Sequence, residues 1–225
     1  MFFNFLRDTP LGLLLSGRIT DYLLMILYLL PAFVIALSFH EAAHAWMANK
    51  MGDPTARNLG RMTLDPTKHI DLVGIISFLI IGFGWAKPVP TNPRNYYHYK
   101  KANILVALAG VTTNLILSFV FYFVLVLVNG VFGVTNQIII TILYYIVMMN
   151  IVLCVFNLIP IPPLDGHHLI KGFIARKSPK LYMYYMRYGQ FLLLVLIFTR
   201  LLSPLLFYVT NGILDLYSMF FGLFF

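Results

Sequence analysis

Apolar residues fall in long blocks along this chain. One block runs from about Asp21 to Asn49, a second from Ala102 to Val128 and a third from Gln137 to Leu158. Each reaches or exceeds the roughly 20 residues that a helix needs to cross a bilayer. The pattern predicts three spanning helices, the first roughly 43 Å long at the usual helical rise and bent at Pro31. A fourth stretch, Gly189–Phe225, is interrupted by Arg200 and Pro204 and holds one or two more spans. Two shorter blocks do not fit this scheme. Residues 2–17 are broken by Arg7, Asp8 and Pro10 and are read as an interfacial helix or part of a re-entrant segment. Leu72–Trp85 has only 14 residues, too few for an ordinary span. Its glycines, and the Lys87-Pro88-Val89-Pro90-Thr91-Asn92-Pro93 run that follows, predict a re-entrant or β-hairpin element. Irregular backbone at membrane depth is tolerated only against protein or a water-filled cavity, which puts this element beside any buried site that the bundle holds. The predicted fold class is an all-α polytopic membrane protein, a bundle of about 4–6 transmembrane helices.

Composition agrees with this pattern. Hydrophobic residues make up 60% of the chain, charged residues 11%, and the mean hydropathy is +0.83. The values exclude an ordinary soluble domain. A single domain over residues 1–225 is expected, with a core at about 20–170 and the C-terminal apolar segment at 189–225. The N-terminal stretch lacks the basic-then-apolar pattern and small-residue cleavage site of a removable signal peptide. Cys154 is the one cysteine, which excludes an intrachain disulfide and reads as a small core residue.

A formal net charge of +8 raises the question of nucleic acid, but the basic residues form no continuous patch. They cluster between spans: Lys50, Arg57, Arg61, Lys68, Lys87, Arg94, Lys100 and Lys101 in one segment, Lys171, Arg176, Lys177, Lys180 and Arg187 in another. The connection Asn129–Asn136 has neither Lys nor Arg. By the positive-inside rule, residues 50–101 and 166–187 face the cytoplasm and the 129–136 turn faces the far side. The C-terminal ends of the first and third spans therefore meet at one face. His98, among Tyr96, Tyr97 and Tyr99, reads as part of an interfacial aromatic belt.

The chain contains one glutamate, Glu41, inside His40-Glu41-Ala42-Ala43-His44 near the end of the first span. Four residues advance a helix by about 400°, so His40 and His44 share a face one turn apart. This geometry suits two imidazole nitrogens on one tetrahedral zinc, with the adjacent carboxylate within reach of a water there. Ionisable groups in a span are costly and mark function by default. Zinc also needs a third protein ligand. After the third span the chain reads Asn157-Leu158-Ile159-Pro160-Ile161-Pro162-Pro163-Leu164-Asp165-Gly166. The prolines force the helix to unwind, which leaves Asp165 in irregular structure at the level of the histidines. Alone it reads as a solvated turn aspartate before glycine; its place after an apolar span, on the side of the histidines, favours the ligand reading.

His40-Glu41-Ala42-Ala43-His44, taken with the Asn157–Gly166 run, resembles the site-2 protease family of intramembrane zinc metalloproteases. The Gly84-Trp85-Ala86-Lys87-Pro88-Val89-Pro90 run, Gly60–Pro66 and Lys68-His69-Ile70-Asp71 are similar to further elements of that family. Val111, in Ala109-Gly110-Val111-Thr112-Thr113-Asn114, departs from a proline common there and reads as a packing change. The resemblance implies one zinc ion held by His40, His44 and Asp165, with Glu41 as the catalytic carboxylate. In that chemistry Glu41 takes a proton from the attacking water and passes it to the leaving amine.

Asn157 is a candidate oxyanion donor, or else a helix C-terminal cap. Asn114 is expected to make interhelical hydrogen bonds. His167 and His168 are read as interfacial or supporting histidines rather than extra ligands. His69 matches a family element without any chemistry evident from sequence. The expected substrates are membrane proteins cut within or beside a transmembrane segment, docking as an added strand on Trp85–Asn95. The protein is expected to be multi-pass in the cell membrane, with its site toward the cytoplasm. No loop exceeds about 50 residues, the lower bound for an inserted domain, so the chain reads as a minimal form. The competing reading is a non-hydrolytic metal-binding carrier or scaffold. A carrier should show polar residues along several spans, whereas the second and third spans here are nearly uncharged.

Overall fold

The computed structural model describes residues 10–224. Nine α-helices follow one another among them: α1 (Pro10–Leu15), α2 (Ile19–Lys50), α3 (Thr55–Asn58), α4 (Leu72–Ile81), α5 (Tyr99–Val126), α6 (Gln137–Leu158), α7 (His167–Lys177), α8 (Pro179–Phe198) and α9 (Ser203–Phe221). No strand occurs among the described residues. The chain is an all-α polytopic membrane protein. Four helices are long and apolar enough to cross a bilayer: α2, α5 with its π-helical extension to Val131, α6 and α8.

The three predicted spans appear within a few residues of their expected limits. α2 continues through Pro31. α6 starts where Asn136 accepts the backbone N–H groups of Ile138 and Ile139, satisfying donors that a helix start otherwise leaves orphaned. The C-terminal segment differs from expectation. Its first helix begins at Pro179, ten residues before Gly189, because Ser178 caps it and Lys180 and Arg187 are tolerated in its first turns. The predicted break holds, since Arg200 adopts a left-handed conformation (φ 58°) between α8 and α9. Of residues 2–17, those from Pro10 to Leu15 form α1, and the earlier ones lie outside the described residues.

Helices α2, α5 and α6 pack together as the centre of the molecule. On one flank, Tyr217 and Phe221 of α9 join Val147, Ile151 and Val155 of α6 in a buried cluster. On another, Leu193 and Leu202 close over Ile159 and Leu164 in the proline-rich turn after α6. α8 braces that turn directly: Tyr185 Oη donates to Pro160 O (3.0 Å), and Gly189 lies so close that a Cβ there would sit 2.7 Å from Pro162 Cδ.

The short block 72–85 forms a helix and a return rather than a β-hairpin. Asp71 caps α4 by accepting from Gly74 N (2.8 Å), and Gly82, left-handed at φ 76°, ends it. The chain then runs back extended, with one antiparallel bridge, Ile70 to Ala86, in place of paired strands. Helix and return approach so closely that a Cβ on Gly74 would lie 2.2 Å from Trp85 O. Further polar contacts hold the returning segment. Lys87 N donates to His69 O (2.8 Å), and the Arg61 guanidinium donates to Lys87 O (2.8 Å). His69 is almost wholly buried, with Nε2 donating to Thr63 O (2.8 Å), so it serves as a peg for this loop. Asp53, fully buried, accepts from Asn92 N (2.6 Å) and Asn95 Nδ2 (2.8 Å).

Tyr96 departs from the predicted aromatic belt. It is 9% exposed and packs on Ala48, Ala102 and Val106, whereas Tyr97 and Tyr99 are exposed. Cys154 is a free, buried thiol.

Candidate metal centre

His40 and His44 project from α2 toward α5, and each ring is oriented by the nitrogen that faces away from the other. His44 Nδ1 donates to Val106 O (2.7 Å), a backbone carbonyl of α5. His40 Nδ1 lies 2.6 Å from Asn114 Oδ1. The Asn114 amide nitrogen donates to Ala36 O (3.0 Å) and Asn150 Oδ1 (2.9 Å), and Asn150 in turn donates to Ile146 O (2.8 Å). Asn114 Oδ1 is therefore the acceptor, and His40 Nδ1 carries the ring proton. In both neutral rings this leaves Nε2 as a bare lone pair.

Those two lone pairs face each other at 2.9 Å. Asp165 Oδ2 completes a triangle, 3.1 Å from His40 Nε2 and 3.3 Å from His44 Nε2. Ligand atoms around a tetrahedral zinc at 2.0–2.1 Å lie about 3.3 Å apart, close to these edges. Asp165 Oδ2 is buried and has no hydrogen-bond partner, a costly state unless a cation is bound. The donor set and its orphaned oxygen fit zinc.

The rings approach α5 because Gly110 has no side chain. A Cβ there would lie 2.6 Å from His40 Cε1 and 2.7 Å from His44 Nε2. Asp165 arrives through the turn after α6, where Gly166 N donates to Asn157 O at 2.6 Å and closes the loop on itself. Glu41, 9% exposed, accepts from Val89 N through Oε2 (2.8 Å), which ties the returning Pro88–Pro90 segment to the site.

A cavity of about 310 Å³ opens on these groups, lined among others by Pro88, Val89, Thr91, Asn157, His168 and Lys171. The structure thus brings His40, Glu41, His44, Asn157 and Asp165 to one cavity. Asn157 Nδ2 donates to Leu153 O (3.1 Å) in its own helix. His167, buried, bonds Leu164 O through Nδ1 (2.7 Å) and so fastens the turn behind Asp165. Asn114 makes the expected interhelical bonds, but its grip on His40 was not anticipated. The sequence carries no signal for the close approach at Gly110 or for the pairing of Lys171 with His168, although His168 itself reads there as a supporting histidine.

The chain matches the profile described as "Peptidase_M50: Peptidase family M50" over residues 28–139 and 128–197. It is 37% identical over 202 residues to "Putative zinc metalloprotease YwhC" of Bacillus subtilis (strain 168), covering 86% of this chain and 92% of that one. It is 24% identical over 191 residues to "Putative zinc metalloprotease Rip2" of Mycobacterium tuberculosis (strain ATCC 25618 / H37Rv), covering 83% and 73% respectively. It is 28% identical over 141 residues to "Putative zinc metalloprotease MJ0611" of Methanocaldococcus jannaschii, covering 59% and 63%. No solved structure matches significantly. With the family profile spanning most of its length, the chain belongs to peptidase family M50 and is an intramembrane zinc metalloprotease.

Proposed function

We propose that the protein is an endopeptidase of the HExxH type that cuts peptide bonds within or beside the transmembrane segments of other membrane proteins. The observation that carries this reading is the meeting of His40 Nε2, His44 Nε2 and Asp165 Oδ2 within 3.3 Å of one another, next to Glu41. These three atoms would hold one zinc ion per chain, which when bound supplies an acidified water and polarises the scissile carbonyl. Glu41 is the base: with Oε2 held by Val89 N–H, Oε1 is left to take the proton of the attacking water. The same carboxyl then returns the proton to the leaving amine. Asn157, with one amide hydrogen engaged at Leu153 O, has a second for the developing oxyanion.

The substrate's scissile stretch must be unwound, since a helical carbonyl is already hydrogen-bonded. Within Trp85–Asn95, the stretch before the 3-10 turn at Pro93–Asn95 carries one bridge and offers an edge along which such a stretch can add as a strand. The basic loops 50–101 and 166–187 favour a cytoplasmic site in a multi-pass protein of the cell membrane.

The competing reading, a metal carrier or scaffold without hydrolysis, has no use for Glu41. Reconstituted wild type and Glu41→Gln, compared on a single-span substrate, separate the two. Zinc content should be equal and cleavage confined to wild type, with a loss of at least about 100-fold in the variant. Equal cleavage by both would defeat the assigned chemistry.

A further inference from the structure

One wall of the catalytic cavity is built from charge that hydrolysis does not use. Lys171, in α7, is the one lysine or arginine that lines it among the described residues. Its ammonium donates to Asn103 Oδ1 (3.2 Å) and approaches His168 Nδ1 at 2.6 Å. Asn103 is buried, and its amide nitrogen is committed to Tyr99 O (2.8 Å), so its oxygen necessarily faces the lysine. An ammonium is donor-only and has three hydrogens. Two are spent here, and a third remains. Because His168 Nδ1 must accept from Lys171, the imidazole proton sits on Nε2, and the ring lines the same cavity. No carboxylate pairs with Lys171 among the described residues. Of the two acids that line the cavity, Glu41 accepts from Val89 N–H and Asp165 Oδ2 faces the two imidazoles.

A half-buried cation with only neutral partners is costly: burial is what acts on the Lys171 ammonium, and it pulls the group below its ordinary range. Such a cation is stabilised by an anion that arrives with a ligand. The position is also fixed relative to the reacting centre. His168 N donates to Asp165 O at 2.9 Å, so the first turn of α7 grows directly from the turn that carries the third ligand.

We propose that Lys171, His168 and Asn103 form a carboxylate-binding subsite that reads an acidic group on the substrate close to the scissile bond. Lys171 supplies the charge and a hydrogen bond, and His168 Nδ1 and Asn103 Oδ1 hold the ammonium in place. The inference rests on the proteolytic reading of the cavity and adds a substrate preference to it.

The test uses the full chain in lipid nanodiscs and a panel of single-span reporters. Its members are identical except that each residue flanking the cytoplasmic end of the span carries Asp, Asn or Lys in turn. At one position the Asp reporter should be cleaved about 10-fold faster than its Asn counterpart, in kcat/KM. Lys171→Glu should reverse the order and favour the Lys reporter at that same position. Equal cleavage of Asp, Asn and Lys reporters by the wild type, lost in Glu41→Gln, would overturn the subsite and leave the protease reading standing. Fluorescence anisotropy of the reporters on Glu41→Gln reads the subsite without turnover. About 10-fold tighter binding of the Asp member, abolished by adding Lys171→Met, supports it, and equal binding overturns it whether or not cleavage is seen. Absent cleavage by the wild type, with selective binding retained, would count against the protease reading alone. Reporters ending just past the cut with a free or amidated C-terminus separate a terminal carboxylate from a side-chain one, and preference for neither acid would again overturn the subsite.

Discussion

His40 is held by Asn114, 74 positions further along the chain, and Asn114 is itself fixed by Ala36 O and Asn150. A ligand imidazole whose distal nitrogen loses its acceptor is free to rotate and becomes less basic, which typically costs 10–100-fold in metal affinity. Asn114→Ala should lower zinc affinity by about that factor, measured by competition with a chromogenic chelator; unchanged affinity would show that the amide only packs. Gly110→Ala is expected to be harsher, because its Cβ would meet both rings at under 3 Å. Zinc should be lost while the helical far-UV circular dichroism remains. The histidine pair and Asp165 were legible in the sequence because i, i+4 spacing and a proline-broken span are local signals. Asn114 and Gly110 were not. Which face of an apolar helix meets its neighbour is set by rotation about the helix axis, and a span apolar on all sides leaves no stripe to read.

The returning segment from Trp85 to Asn95 carries Val89 N–H to Glu41, and it is pinned at both ends by residues outside the cavity. Arg61 and His69 hold its beginning, and Asp53 holds its end. Burial raises the Asp53 carboxyl, but hydrogen bonds from Thr55, Asn92 and Asn95 win and lower it below its ordinary range. A carboxyl lowered on folding adds stability that is complete above the ordinary carboxylate range and disappears as acid drives pH down through the lowered value. Asp53→Ala should cost about 1–3 kcal/mol, since several donors lose a shared acceptor. It should also reduce cleavage more than zinc binding, because the segment loosens while the ligands remain. A proportional loss of zinc would refute that separation. Glycines and prolines correctly marked this stretch as irregular, but not as a helix with an extended return. The contact that selects this form, Gly74 against Trp85 O, joins residues on opposite limbs of the loop.

The cation should also stabilise the assembled bundle. On the proposed ligand set, its three ligands come from α2 and from the turn after α6, and α5 orients both rings. A cation that binds only this arrangement stabilises it by RT ln(1 + [L]/Kd), about 2.7 kcal/mol at a hundredfold excess over Kd. Chelation should therefore lower the unfolding temperature in detergent by several degrees, and zinc should restore it. A chelated protein that melts unchanged would mean the metal is not part of the folded core. The number and limits of the central spans were readable from apolar length alone, since the bilayer imposes it. The start of α8 was not, because the Ser178 cap decides it locally.

His44 and Asp165 are separated by 121 positions in the chain (165 − 44). On the proposed ligand set, a nascent chain carries both imidazoles and the carboxylate base long before it can hold a metal firmly. Activity waits until the third span has been inserted and the loop closed by Gly166 has left the ribosome. Synthesis itself thus keeps the metal site incomplete until that turn has been made.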